Sequence, residues 1–359
     1  LEQALYRNER SKSNFLRDSV LPPIYLDHAA TTPLLPQALA AMEEGLRIWA
    51  NPSSPHKAGR AARAALEEAR ARVKAALGWS GEVVFTSGAS EAIAIAIGRC
   101  VKPLVAVSAV EHEAVLRLAG EAARWPVGPN GLLGQAPALG GLVAVQQANN
   151  ETGVIQPLGE LVDEVHAQNG LLMADCAQTA GKIALPEADL IAVSAHKFGG
   201  PIGIGALLVR DWAMLRPSGG QERGYRPGTE NLPGAMAMAA ALEAGNAWLK
   251  CASGLRESLE KQLVDSGAVV VAADGPRLPT IGAYRMPGRS ANAQLIRFDG
   301  MGIAVSAGSA CSSGSLKASH VLGAMGVEGA GEVIRVSIGR ETTQAEIDRF
   351  VGAWREIAA

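Results

Sequence analysis

The sequence predicts a layered α/β protein, a sheet covered by helices, and three observations carry that expectation. Short apolar runs rich in β-branched residues alternate with helix-patterned stretches along most of the chain. Hydrophobic residues make up 48% of the 359 positions, ample for a buried core, which excludes global disorder. Aromatics supply only 4%, while glycine occurs 41 times, a composition suited to close-packed small aliphatics joined by tight turns.

The strand candidates are Glu82–Thr86, Leu104–Ser108, Leu142–Gln146, Leu171–Ala174, Leu190–Ser194 and Ala206–Val209. Between Lys57 and Leu77, Ala62, Leu66, Ala69, Val73 and Leu77 recur near a 3.6 period, and Gly78 stands where a helix-ending glycine belongs. The final helix opens on the capping pair Thr343 and Glu346 and carries Ile347, Phe350, Val351 and Trp354 down one face. An Ala-rich helix, Ala235–Ala244, precedes the expected domain boundary near 245–255. The division is therefore a large domain over 34–250 and a smaller α/β domain over 251–359, to which 1–33 returns. No internal repeat or low-complexity linker interrupts the chain.

Several function classes are disfavoured at once. Lys and Arg total 33 against 35 Asp and Glu, a net charge of −2 with no basic block, which argues against nucleic acid as the main partner. No apolar run nears the roughly 18 residues of a membrane helix, and Ala92–Ile97 is far too short. The first twenty residues are polar and mixed in charge, without a secretory apolar core or the acid-poor pattern of a transit peptide. Cys100, Cys176, Cys251 and Cys311 form no CxxC pair, which fits a reducing cytoplasm. The six histidines show no zinc-ligand spacing, so no metal is expected short of a site assembled from distant residues. No GxxxxGK[ST] occurs, and the run Gly199–Gly205 neither spells GxGxxG nor leads into a helix.

What remains is a set of polar residues at the ends of strand candidates, where open α/β sheets place their ligands. Thr86–Glu91 follows one strand and opens a helix whose free N–H groups suit a phosphate. Glu111–His112, Asn149–Thr152, Asp175 and Ser194–Lys197 follow others. Singly, Asp175 reads equally as a helix cap and Lys197 as a solvated charge. Together they supply a phosphate cradle, a buried acid, an amine and an aromatic plate, the parts that pyridoxal 5′-phosphate needs.

The stretches Tyr25–Pro33, Asn51–Ser54, Phe85–Glu91, Asn149–Gly153, Ser194–Lys197, Arg226–Asn231 and Ser306–Gly314 resemble, in order, those of the NifS/IscS cysteine desulfurases. The resemblance spans about residues 24–358 and implies the fold-type I architecture of PLP-dependent transferases: a large domain with a mainly parallel sheet between helices, plus a smaller C-terminal α/β domain. It implies that Lys197 holds the cofactor and shuttles the substrate Cα proton, while Asp175 pairs with the ring nitrogen. Gln178 and Asn150 would bond around the phenolic oxygen, and His112 would cover the ring face. The phosphate would rest on Ala89, Ser90, Ser194 and His196, completed by Thr229 of a second subunit in a homodimer. Arg335 would clamp the substrate carboxylate in bidentate fashion, with Asn150 nearby.

Cys311 sets the expected reaction. A lone cysteine is commonly a small core residue, but this one sits in a Ser/Gly/Ala run, 306–315, with little to bury. Such a segment suits a thiolate that must reach a site and leave it, whereas Cys100, Cys176 and Cys251 lack that context. The resemblance implies conversion of L-cysteine to L-alanine with a persulfide on Cys311, passed to an acceptor such as an iron–sulfur scaffold or a thiolation partner. Three departures bear on the acceptor: a short stretch between His112 and Asn150, Ile202 where many relatives carry Lys, and a chain that stops soon after its last helix. The competing readings are another class-V PLP enzyme, either a selenocysteine lyase or an aminotransferase, and a catalytically silent partner of a sulfur-transfer complex.

Overall fold

The computed structural model describes residues 22–308 and 318–359, so Cys311 lies outside the described residues. In chain order the first part carries β1 (Ile24–Tyr25), α1 (Pro36–Arg47), α2 (Lys57–Leu77), β2 (Glu82–Thr86), α3 (Ala89–Arg99), β3 (Leu104–Ser108), α4 (Glu113–Leu116), β4 (Ala123–Trp125), β5 (Leu142–Gln146) and α5 (Leu158–Ala167). There follow β6 (Leu171–Asp175), β7 (Leu190–Ser194), β8 (Gly205–Val209), α6 (Leu232–Glu243), α7 (Leu249–Val264), β9 (Val269–Val270), β10 (Ile281–Arg285), α8 (Ala291–Gly300), β11 (Ile303–Ala304), α9 (His320–Ala324), β12 (Val333–Ser337) and α10 (Gln344–Ala358). None of the described helices is long and apolar enough to cross a membrane.

One seven-stranded sheet runs in the order β2-β8-β7-β6-β5-β3-β4. It is parallel throughout except for β8, which is antiparallel to both neighbours. Side-chain alternation fixes its two faces. Val143, Val145, Leu172, Ala174, Ile191 and Val193 pack with α1, α2, α5 and α6, while Leu142, Ala144, Leu171, Met173, Leu190 and Ala192 pack with α3 and α4. Strands covered on both faces must be apolar along their whole length, which is why these segments are continuous Val/Leu/Ala runs. α6 begins at Leu232 rather than Ala235, because the Asn231 side chain caps it by accepting the Gly234 N–H and Pro233 preorganises its first turn. α2 ends at Gly78 with φ 64°, and α10 opens on the full Thr343–Glu346 capping box.

A second core gathers Tyr284, Phe298, Ile334, Val336, Phe350 and Trp354, with the Phe298 and Phe350 rings stacked 5.0 Å apart. It lies beneath a three-stranded antiparallel sheet, β12-β10-β9, and the parallel pair β1-β11 brings Ile24 and Leu26 into it. The chain start thus pairs with residues far downstream, and Asp27 bridges to Ser337.

One buried ion pair fastens the segment between β8 and α6. Arg70 of α2 donates to both carboxylate oxygens of Glu222, at 2.7 and 3.0 Å, and Glu222 also accepts the Phe85 N–H. Glu222 and Arg223 take positive φ, 47° and 57°, a conformation that bulky residues hold only when their surroundings enforce it.

Candidate active site

Five strands deliver their ends to one edge of the large sheet. Because β8 runs against β2 and β7, its first residue Gly205 lies opposite both Thr86 and Ser194, the last residues of those strands. Asp175 ends β6 beside Gln146 of β5. A cavity of about 400 Å³ opens there, lined among others by Ala89, Ser90, His112, Asn150, Asp175, Gln178, Ser194, His196, Lys197 and Arg335. The fold therefore brings together every described sequence-predicted site residue except Thr229, which is exposed and does not line this cavity; Cys311 lies outside the described residues.

The cradle at the start of α3 follows from tight backbone packing. A Cβ on Gly205 would lie 2.6 Å from the Gly88 Cα and 2.5 Å from the Val193 carbonyl oxygen, so only glycine lets the loop before α3 settle on β8. Gly88 supplies no side-chain cap, leaving the first N–H groups of α3 available to an anion. Glu91 stiffens the turn by accepting the Ser87 N–H and pairing with Arg226 at 3.0 Å. Ser194 is buried beside Gly88, its hydroxyl 3.5 Å from where a Cβ on that glycine would lie.

Lys197 reaches back to the first segment of the chain, donating to the carbonyls of Ala29 at 2.6 Å and Ala30 at 2.8 Å. His196 shares a hydrogen bond with Thr31 at 3.2 Å, and burial, then the Lys197 charge, lowers its pKa to about 4. Asp175 accepts the Ala177 N–H at 2.9 Å; burial raises its pKa, and that N–H together with the charges of His112 and Lys197 pulls it back. His112 caps α4 by accepting the Ala114 N–H at Nδ1, which puts the proton of its neutral ring on Nε2. Gln178 donates to the Ala29 carbonyl, and its buried Oε1 has no partner among the described residues.

Arg335 projects from β12 and is held at both ends of its fork. One arm donates to Asp27 at 2.7 Å, the other to the Asn150 carbonyl at 2.9 Å, and its buried Nε is unpartnered. Asn150 is displayed by a turn that Asn149 builds, its Oδ1 accepting the N–H groups of Glu151 and Thr152. Sequence reasoning left Asp27, Glu111 and His320 without roles. Glu111 is fully buried, accepts the Gln146 N–H at 2.7 Å, and burial, reinforced by the Asp175 charge, raises its pKa well above the carboxylate range. His320 lines the same cavity and donates from Nε2 to the Glu111 carbonyl at 2.9 Å.

Comparison with known proteins agrees with this geometry. Residues 24–350 match the family described as Aminotransferase class-V. A cysteine desulfurase of Klebsiella pneumoniae is 38% identical over 91% of this chain and 91% of its own. The chain belongs to the cysteine desulfurase family. A solved NifS-like protein superposes with a TM-score of 0.85 at 32% identity, covering 93% of this chain and 99% of that one. A second solved relative, SspA in complex with cysteine, gives 0.75 at 26% identity over 89% of this chain and 100% of that one.

Cysteine desulfurases depend on pyridoxal 5′-phosphate, and the cavity fits that group. It offers an amine at Lys197, a buried carboxylate at Asp175, N–H donors at the start of α3 and an orphaned buried oxygen on Gln178 that a ligand would satisfy. Among the described residues no cluster of His, Cys, Asp or Glu could hold a metal ion. Cys100 and Cys176 are buried, and burial raises the pKa of both thiols, while Cys251 is exposed.

Proposed function

We propose that this cysteine desulfurase converts free L-cysteine to L-alanine and takes the substrate sulfur onto Cys311 as a persulfide. The observation that carries the reading is the convergence of Lys197, Asp175 and Arg335 on one cavity of about 400 Å³. Bound PLP supplies an electron sink that acidifies the substrate Cα–H and weakens its Cβ–S bond. Lys197 would hold the cofactor covalently and, once freed, would carry the proton at the substrate Cα. Asp175, as the carboxylate, keeps a proton on the ring nitrogen, and the cationic ring would in turn lower the pKa that burial raises. His112 covers the ring and presents Nε2–H, while Gln178 and Asn150 bond around its phenolic oxygen. The N–H groups of Ala89 and Ser90, with Ser194 and His196, take the phosphate.

Arg335 receives the substrate carboxylate from a position set by Asp27 and Asn150. The Cys311 thiolate attacks the substrate sulfur, the S–S bond forms as the C–S bond breaks, and the electron pair left on carbon is quenched by a proton. L-cysteine and a thiol thereby become L-alanine and a persulfide, with no external oxidant. The persulfide then passes to an acceptor, an iron–sulfur scaffold or a thiolation partner.

Two wider features belong to the same proposal. The chain acts as a homodimer whose second copy inserts Thr229 at the phosphate, supported by the exposure of Thr229 away from its own cavity. It divides into a large domain over 34–250 and a small one over 1–33 and 251–359, consistent with the separate core around Phe298 and Trp354. The unpaired thiols of Cys100, Cys176 and Cys251 suit a reducing cytoplasm. The decisive experiment is mass spectrometry of the protein after incubation with L-cysteine. A reducible gain of a single sulfur atom mapped to Cys311 is expected, together with alanine; turnover undiminished in Cys311→Ser would overturn the assignment.

A further inference from the structure

A second cavity, of about 300 Å³, lies on the other side of Lys197, which lines both. Its wall is assembled from distant parts of the chain: His28 to Pro36, Gly181 and Lys182, the end of α6, and the segments around Thr280 and Ile338. Two of its polar groups are anomalous. Lys182 is only 6% exposed, donates its Nζ to the Gln178 carbonyl at 2.9 Å, and has no carboxylate within ion-pairing distance among the described residues. Thr280, 3% exposed, leaves its Oγ1 without a partner among the described residues. Burying a cation without an anion and a hydroxyl without a bond is costly unless something else fills the roles.

The charges facing this space are lopsided. Among the described lining residues Lys182, Lys197 and Arg340 are basic, His28 is held neutral with a pKa of about 4, and the one acid is Glu341, an exposed residue. Arg340 lies over the Trp248 ring at 5.5 Å and donates to the Gly245 carbonyl at 2.6 Å, so it is fixed in place. Burial, then the Lys197 charge, lowers the Lys182 pKa to about 7, the signature of an ammonium lacking its counter-ion. Apart from Thr32, which is hydrogen-bonded to His28 at 2.7 Å, the rest of the wall is largely apolar, including Leu35, Phe198, Ile281 and Ile338.

We propose that this cavity is a second binding site, taking a small organic carboxylate with a compact apolar body. The carboxylate would accept from Lys182 and the Thr280 hydroxyl, and the body would lie against Leu35, Phe198 and Ile338. The size falls at the low end of small-molecule sites.

Calorimetric titration of the purified holoenzyme with benzoate tests this, with benzamide as the neutral isostere and inorganic phosphate as the anion lacking an apolar body. Benzoate is expected to bind saturably, and both controls about tenfold or more weakly, the scale of one charge-assisted bond. Lys182→Met should erase the difference between benzoate and benzamide, and Thr280→Val should weaken benzoate roughly threefold to tenfold. Arg335→Gln, in the substrate cavity, should leave the titration unchanged. Absence of benzoate binding, equal binding of benzoate and benzamide, or sensitivity to Arg335→Gln without sensitivity to Lys182→Met or Thr280→Val would each overturn the assignment. The thermal midpoint of each variant checks folding, and Thr280→Val, a near-isosteric change, keeps the test decisive if Lys182→Met fails to fold.

Discussion

As the proposed clamp of the substrate carboxylate, the guanidinium of Arg335 is already partly engaged. Asp27 and the Asn150 carbonyl fix its plane, which restrains the fork before any substrate arrives. Asp27 is thus a positioning residue, and Asp27→Asn is expected to raise KM for L-cysteine about tenfold, the value of one charge-assisted hydrogen bond. kcat should change far less, and the visible absorbance of the bound cofactor should be retained. Steady-state kinetics with an absorbance spectrum would check both. The partners stand 308 residues apart in the chain, so no local window could reveal the pairing. Glu111 and Lys182 were hidden for the same reason, since their burial comes from strands and loops that meet only in three dimensions. Asp175 and Lys197 were legible because the first closes a continuous apolar strand and the second follows three residues after the end of another, where a charge needs explaining.

Helices and strands differ in how openly the sequence declares them. β2, β3 and β5 to β8 are five-residue apolar runs, so reading them required only composition and their bounding residues. β1, β9 and β11 span two residues each and exist only through their partners, which is why the small sheets escaped notice. Two predictions sit at this scale. Gly205→Ala must push β8 away from Gly88 and distort the start of α3, so PLP retention after dialysis should fall about tenfold or more, as expected for losing a tight anion contact. Thr343→Ala removes the cap of α10 and should cost about 1 kcal/mol, read as a lower urea midpoint with an unchanged slope.

For the molecule as a whole, acid sensitivity should originate partly in two buried imidazoles. His28 and His196 have pKa values lowered to about 4, against an ordinary value of 6.5, with burial the main cause for both. Between those limits the unfolded chain binds more protons than the native one, so stability rises with pH across the window and is lost as pH falls from 6.5 towards 4. Urea midpoints of His28→Asn should therefore decline less between pH 7 and pH 5 than those of the parent protein. A coarser inference, the layered α/β architecture, was legible from alternation alone; a return of 1–33 to the smaller unit was expected, but the specific pairing of Ile24 and Tyr25 with Ile303 and Ala304 was not legible.

The Arg70–Glu222 clamp has an assembly-level consequence. It holds the segment leading to Thr229 in a conformation that isolated Glu and Arg avoid, so that in the proposed homodimer the exposed Thr229 would be in place before the second copy docks. Little ordering entropy then remains to oppose association. If each protomer lends this hydroxyl to its neighbour, two crippled stocks should rescue one another. Co-refolding Lys197→Ala with Thr229→Ala would yield hybrid pairs with one intact centre, restoring about a quarter of parental activity by random pairing of a two-fold dimer.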